Sequence, residues 1–274
     1  MRLRPIIGWA IFIIIVAIIA QAVPSVTGSY YFVKGKRLYS KGDYRGAAEA
    51  YERSVSSDPK FARGYVELGS AYRGLEDYAQ AEKAFAKAVS IQEDSCAQCG
   101  LGMVYHLQHK NREAEAALKR AIDLNPGDEC AFYELGSLYY DEERYQEAIQ
   151  AFLTETTLKP RAGTYHFIGN SYRYTGKFDE AVSAYRDALR LNPRYKRLFV
   201  DLGHAYYGLG RYREAMSAYR QAIEADTGNV DARVALGLSE LRYGDVQAGL
   251  EQYQIVQKLD PERAEPFRRE LSRR

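Results

Sequence analysis

An excess of charge of one sign is missing from this 274-residue sequence, which has 38 Lys and Arg against 36 Asp and Glu and a net charge of +2. A protein that binds nucleic acid through its phosphates normally has a clear basic excess, so the composition argues against nucleic acid as a partner. The 3 cysteines are too few, and odd in number, to hold together a disulfide scaffold.

Signatures of catalysis and of cofactor binding are also missing. The sequence contains no Gly-rich phosphate loop, no Gly-x-Ser-x-Gly elbow and no His-Glu-x-x-His pair. Carboxylates such as Asp43 and Asp77 recur instead beside turns, where they are typical of helix caps. We therefore expect a protein without enzymatic activity and without a cofactor.

The amino-terminal segment differs from everything after it. Arg2 and Arg4 precede an uncharged, mostly apolar stretch, residues 6–23. As a helix this stretch would be about 27 Å long, close to the thickness of the hydrocarbon core, so it predicts a transmembrane anchor. The small residues Ala20 and Ala22 keep a second interpretation open, a signal peptide that is cleaved.

The charges around this stretch bear on its orientation. Arg2 and Arg4 favour a cytoplasmic amino end, whereas Lys34 and Lys36 on the other side favour the reverse. Basic residues followed by apolar ones are the order found in signal sequences. We therefore expect a single-pass membrane protein with an extracytoplasmic body, and the cytoplasmic orientation is the alternative.

Glycine and tyrosine are abundant, with 22 and 24 residues, and both recur at a fixed interval. An apolar-Gly pair occurs six times, with the glycines at Gly69, Gly102, Gly136, Gly169, Gly203 and Gly237, and Gly35 begins the same series of glycines 33 or 34 residues apart. A tyrosine follows most of these glycines by three residues, a small residue follows by 12, and a ring follows most by 16. Seven units that agree in several columns establish an internal repeat.

These columns resemble the tetratricopeptide repeat family. An aromatic residue, the apolar-Gly pair and a tyrosine at i, i+3, i+4 and i+7 form one apolar face of a first helix. The small residue and the ring lie on a second helix, and stacked units share one core. The resemblance implies an all-α fold, a right-handed superhelical α-solenoid of about seven helix-turn-helix repeats, preceded by one transmembrane or signal helix.

The repeats predict a division of the chain. The expected parts are an anchor or signal segment at 1–24, a repeat region at 28–263 with units 28–61, 62–94, 95–128, 129–161, 162–195, 196–229 and 230–263, and a C-terminal capping helix or tail at 264–274. Gln98 and Arg233 replace the aromatic residue in two units, and Glu240 replaces the tyrosine in the last. The last unit is therefore the least apolar, as expected near a solvated end.

The helical period also predicts which first-helix side chains point away from the core. They lie two residues before the aromatic position and one, five and eight residues after it. In the family that the sequence resembles, this side lines a concave surface where ligands bind, and we call it the groove face. The residues expected to bind a peptide there are Tyr39, Arg73, His106, Tyr133, Tyr140, His166, Asn170, Arg173, His204 and Tyr207.

All three cysteines, Cys96, Cys99 and Cys130, also fall on the groove face. Two of them form a Cys-x-x-Cys followed by histidines, but Cys99 and His106 lie about 10 Å apart along one helix, too far to share a metal ion. We therefore expect no metal site there. A thiol-based metal or redox protein that uses these three residues remains an alternative from a different functional class.

The sequence thus predicts a membrane-anchored scaffold or assembly factor that binds a protein or peptide segment on its groove face. Membrane attachment through residues 6–23 is part of this prediction. The leading alternative is an exported soluble adaptor, released when the amino-terminal segment is cleaved.

Overall fold

A computed structural model describes residues 27–272. The stretch 6–23, for which the sequence predicts an anchor or a signal peptide, lies outside the described residues. Among the helices of the described part, none is both long and apolar enough to cross a bilayer.

The residues from 27 to 272 form helices and no strand, so the predicted all-α class is confirmed for this part. Helix α1 occupies residues 27–39. The helices that follow are α2 (Tyr44–Ser57), α3 (Ala62–Gly74), α4 (Tyr78–Ile91), α5 (Ser95–Leu107), α6 (Asn111–Leu124), α7 (Glu129–Asp141), α8 (Tyr145–Leu158), α9 (Ala162–Tyr174), α10 (Phe178–Leu191), α11 (Leu198–Gly208), α12 (Tyr212–Ala225), α13 (Val230–Tyr243), α14 (Val246–Leu259) and α15 (Glu265–Leu271). A short 3-10 helix, Glu262–Ala264, precedes α15.

Each odd-numbered helix up to α13 is joined to the next helix by a tight turn that contains one left-handed residue. This residue is glycine in four turns and a larger residue in three: Gly42, Glu76, His109, Glu143, Gly176, Gly210 and Gly244. Glycine adopts a positive φ without steric cost. The other three residues have a φ of 59°, which is unfavourable for a residue with a Cβ atom. His109, one of the histidines that follow the Cys-x-x-Cys, is therefore a turn residue.

Aspartates cap several second helices. The Asp43 carboxylate accepts a hydrogen bond from the Gly46 amide at 2.9 Å, and Asp77 accepts one from the Gln80 amide at 3.1 Å. Each satisfies a backbone donor that has no partner within its helix. The prediction that these carboxylates are caps is confirmed at both positions.

The chain divides into two compact units, of which the structure describes residues 27–138 and residues 139–272. In the described part of the first unit, the core consists of second-helix alanines and rings packed against first-helix leucines. Ala47 and Tyr51 of α2 are fully buried with Leu68 of α3, while Ala81 and Phe85 of α4 pack with residues of α5.

The second unit repeats this arrangement. Its largest core cluster joins Ala181 and Tyr185 of α10 to Leu202 of α11 and to Ala215 and Tyr219 of α12. A smaller cluster at the carboxyl end joins one residue each of α13, α14, the 3-10 helix and α15: Leu241, Val256, Ala264 and Phe267.

The glycines of several apolar-Gly pairs, such as Gly69, Gly169 and Gly203, pack directly against second-helix rings. A Cβ atom added to Gly169 would lie 2.6 Å from Cδ1 of Tyr185, and one added to Gly203 would lie 2.7 Å from Cδ1 of Tyr219. Both distances are too short for carbon atoms that are not bonded, and both rings are fully buried. Only glycine fits this position without displacing the ring.

We expect Gly169→Ala to lower the free energy of unfolding by about 1–3 kcal/mol, because the added methyl group overpacks the contact with Tyr185. Gly163 lies on the same helix, and nothing is within 4 Å of a Cβ at that position. Gly163→Ala should therefore raise stability by about 0.4–1 kcal/mol through the lower entropy of the unfolded chain. Urea unfolding of both variants measures the difference, and equal midpoints would contradict the packing.

Candidate peptide-binding groove

In the second unit, the groove-face residue His166 is buried. Its Nδ1 atom lies 2.9 Å from the Tyr195 hydroxyl, and its Nε2 atom lies 2.8 Å from the Asp201 carboxylate. Because an ionised carboxylate only accepts hydrogen bonds, Nε2 carries the proton in its contact with Asp201. The Asn170 amide nitrogen lies 3.2 Å from the same Nε2 atom. His166 therefore holds Asp201 in position. Because only 7% of its surface is exposed, His166 offers little surface of its own to a ligand.

Asn170, one turn further along α9, is held by a tyrosine of the second helix. The Tyr185 hydroxyl donates to Oδ1 of Asn170 at 2.7 Å. Burial raises the pKa of Tyr185, so the phenol stays protonated and remains a donor. The ring reaches the groove face because Gly169 leaves the space that it crosses.

The same arrangement recurs between α11 and α12. The Tyr219 hydroxyl lies 2.9 Å from Nδ1 of His204, and burial raises the pKa of this tyrosine as well. Desolvation by the groove wall, assisted by the positive charge of Arg173, lowers the pKa of His204. Near neutral pH the imidazole is therefore uncharged, with Nδ1 accepting from Tyr219 and the Nε2–H donor left for solvent or a ligand.

Arg173 carries a positive charge that lacks a close carboxylate partner. Its guanidinium lies 4.5 Å from the centre of the Tyr174 ring, and its Nε is buried without a hydrogen bond. Within residues 27–272, Arg173 makes no ion pair at 4.0 Å or less. Against the effect of burial, the Tyr185 hydroxyl and the Asp201 carboxylate act on this guanidinium and raise its pKa. A half-buried guanidinium without an ion pair is a suitable partner for a carboxylate or a peptide carbonyl.

Aromatic rings of the second unit surround Tyr140. Its ring meets Tyr145 edge-on at 5.7 Å and Phe167 at 5.2 Å, and Tyr145 stacks on Tyr174 at 5.0 Å. Burial raises the pKa of Tyr140 to about 12, so this surface is uncharged at neutral pH. Offset and edge-on pairs of this kind are the favoured aromatic geometries, and they hold the rings in place.

A cleft of about 470 Å³ lies between α11 and α13. Its lining combines charged, amide and aliphatic side chains: Arg197, Val200, Asp201, His204, Asn229, Asp231, Val234, Ala235 and Leu238. This volume is in the range of pockets that bind small ligands or short peptide segments. Tyr207, one turn beyond His204, is half-buried and meets Tyr212 edge-on at 5.3 Å.

In the first unit, a smaller cleft of about 240 Å³ contains Arg73 and all three cysteines. It is lined by Val66, Ser70, Arg73, Phe85, Cys96, Cys99, Gly100, Met103, Asp128 and Cys130. Tyr39 packs edge-on against Tyr44 at 5.2 Å, and His106 and Tyr133 are half-buried on α5 and α7. Across the described residues, no group of three or more His, Cys, Asp or Glu is arranged to hold a metal ion.

Several groups on these surfaces were missed by sequence reasoning. Asp201 and Tyr195 do not occupy groove-face positions, yet both bind His166. The hydroxyls of Tyr185 and Tyr219 were expected only to fill the core. The sequence did contain a signal for these two hydroxyls. Other repeats have phenylalanine at the same position, so the core does not require a hydroxyl there.

The comparisons with known proteins agree with this architecture. The family model described as "Tetratricopeptide repeat" matches residues 32–95, 101–162 and 200–264, and that described as "TPR repeat" matches residues 169–210. Among solved structures, YrrB, a TPR protein with an unusual peptide-binding site, is 20% identical, with a TM-score of 0.63 over 69% of this chain and 99% of YrrB. At that identity the likeness shows the fold alone.

Curated relatives share only part of their length with this chain. Anaphase-promoting complex subunit 3 of Schizosaccharomyces pombe is 26% identical over 111 residues, which are 40% of this chain and 17% of that protein. The human protein O-mannosyl-transferase TMTC1 is 27% identical over 174 residues, 61% of this chain and 20% of that protein. The chain thus spans about a fifth of the length of these relatives. Because the first family model covers more than half of the chain, the protein belongs to the tetratricopeptide repeat family.

Proposed function

We propose that the protein is a non-enzymatic, membrane-anchored scaffold or assembly factor that binds an extended peptide segment of a partner protein on the groove face of its second unit. The observation that carries this proposal is that α9 and α11 each present a hydrogen-bond donor that a ligand can use. Arg173 has a positive charge without an ion pair, and the Nε2–H of His204 is left unused.

The spacing of these groups suits a peptide. Arg173 offers a fork of donors for a carboxylate, and His204 offers one donor on the next first helix. The uncharged rings around Tyr140 supply apolar surface on one side, and the 470 Å³ cleft beside His204 supplies room on the other. An extended segment with an acidic side chain would therefore satisfy Arg173 and place its neighbours against apolar walls.

An assembly role fits the family. The curated relative named above is a subunit of the anaphase-promoting complex, so repeats of this kind occur in a multiprotein assembly. The human relative is a transferase, but the present chain covers only 20% of it. No catalytic sequence motif is present in this chain, which favours the scaffold over an enzyme.

Membrane attachment is supported by the sequence of residues 6–23, whose length and lack of charge suit a single span. The proposal places the repeats on the extracytoplasmic side. Cleavage after Ala22 would instead release them as a soluble adaptor, and the groove would be unchanged.

The groove is tested with peptides that bind the full-length protein in a random-sequence peptide array. Arg173→Ala should weaken binding of the tightest-binding acidic peptide by about 2 kcal/mol, roughly 30-fold in Kd. Truncation of an arginine that anchors a ligand typically costs about this much binding free energy. Replacing the peptide carboxylates by amides should weaken binding to the natural protein and change little for Arg173→Ala. Fluorescence anisotropy measures each Kd.

The matched control is Arg194→Ala, which removes the same charge from an exposed position outside α9 and α11. This variant should bind the peptide with an unchanged Kd. If both arginine variants lose affinity equally, the peptide responds to overall charge, and the groove proposal is wrong.

The anchor is tested by fractionation of cells that express the full-length chain. Carbonate washing should leave the protein in the membrane pellet, because an apolar span is not extracted by high pH. Deletion of residues 1–24 should release a helical, soluble body. Recovery of the intact chain in the carbonate supernatant would refute the anchor, and a mature amino terminus beyond Ala22 would establish the exported adaptor.

A further inference from the structure

Two cysteine sulfurs from neighbouring first helices lie next to each other in the first unit. Sγ of Cys99 on α5 donates a hydrogen bond to Sγ of Cys130 on α7, with 3.5 Å between the two sulfurs. A disulfide has an S–S distance of about 2.0 Å, so a movement of about 1.5 Å separates this pair from a covalent bond. The two residues are 31 positions apart and belong to adjoining repeats.

The two thiols differ in access to solvent. Cys130 is exposed, whereas Cys99 has 4% of its surface exposed. Both line the 240 Å³ cleft, together with Arg73 and Met103. A small reagent that enters this cleft therefore meets Cys130 first, and Cys99 lies directly behind it.

Electrostatic interactions distinguish the same two sulfurs. The hydrogen bond from Cys99 lowers the pKa of Cys130, with a smaller contribution from Arg73, while burial, Glu134 and Asp128 oppose this effect. The pKa of Cys99 is raised by the same hydrogen bond and by burial. Cys130 is also the second residue of α7, where the helix dipole favours a negative charge.

We propose that Cys99 and Cys130 form a reversible disulfide that links α5 to α7, with Cys130 as the attacking thiol and Cys99 as the resolving thiol. This assigns a modification site on the groove face of the first unit. It does not depend on the proposed peptide binding in the second unit.

The oxidant is a low-molecular-weight disulfide such as oxidised glutathione. The Cys130 thiolate attacks one sulfur of this molecule, forms a mixed disulfide and expels one glutathione thiolate. Cys99 then loses its proton and attacks the Cys130 sulfur, which breaks the mixed disulfide and expels the second glutathione thiolate. Two protein thiols are thereby oxidised, and one small disulfide is reduced to two thiols.

The new bond would affect both the packing and the surface of the first unit. It closes a loop between adjoining repeats, which restricts the unfolded chain and so stabilises the folded one. It also removes a hydrogen-bonding thiol pair from a cleft that contains Arg73. The surface offered in that cleft would then depend on the thiol redox state.

The test treats the purified full-length protein with oxidised glutathione, then blocks free thiols under denaturing conditions and maps the peptides by mass spectrometry. Free thiols should fall from three to one, with Cys99 linked to Cys130, and dithiothreitol should restore all three. In the reduced protein, iodoacetamide at neutral pH should label Cys130 faster than Cys99.

Single variants separate the roles of the cysteines. Cys99→Ser should stop the reaction at a glutathione adduct on Cys130, Cys130→Ser should leave Cys99 unmodified, and Cys96→Ser should still form the disulfide. A bond between Cys96 and Cys130 in the natural protein would overturn the assignment. So would three free thiols after oxidation, or an adduct that forms first on Cys99.

Discussion

The close contact between a first-helix glycine and a ring on the second helix is the constraint on which the rest of the structure depends. At Gly169 the missing side chain lets the ring of Tyr185 lie against the backbone of α9. A ring held there points its far end across the first helix, so a tyrosine can place its buried hydroxyl against a side chain of the groove face. Tyr185 and Tyr219 do so at Asn170 and His204, and a packing requirement thus determines part of the surface chemistry.

Most of the fold was predictable because it depends on short-range periodicity. A 33- or 34-residue repeat with fixed apolar columns implies paired helices, and the helical period indicates which positions share a face. Arg73 and the three cysteines, chosen from that period, line one cleft. Local chemistry also sufficed for the caps at Asp43 and Asp77, since each bonds an amide three residues away.

The contacts of His166 were not predictable by the same reasoning. Its partners are 29 and 35 residues away, and they meet it only because α9 and α11 pack with a particular offset. Tyr195 lies in a connecting segment, where the helical period carries no information. Whether a groove-face residue is exposed or buried depends on that offset, which is why His166 forms part of the wall while His204 stays open to solvent.

The charge that the groove face presents depends on which ionised side chains are paired with one another, and not on the net charge of the chain. In the second unit, three buried or nearly buried glutamates each lie within 3.3 Å of an arginine: Glu155 with Arg161, Glu240 with Arg220 and Glu270 with Arg242. Asp201 is engaged by His166. The phenols near Arg173 have raised pKa values and stay neutral, so they supply no counter-charge. Among the groove-face residues of the second unit, Arg173 therefore keeps a guanidinium without an ion pair within 4.0 Å, and the Asp201 carboxylate acts on it only from a greater distance.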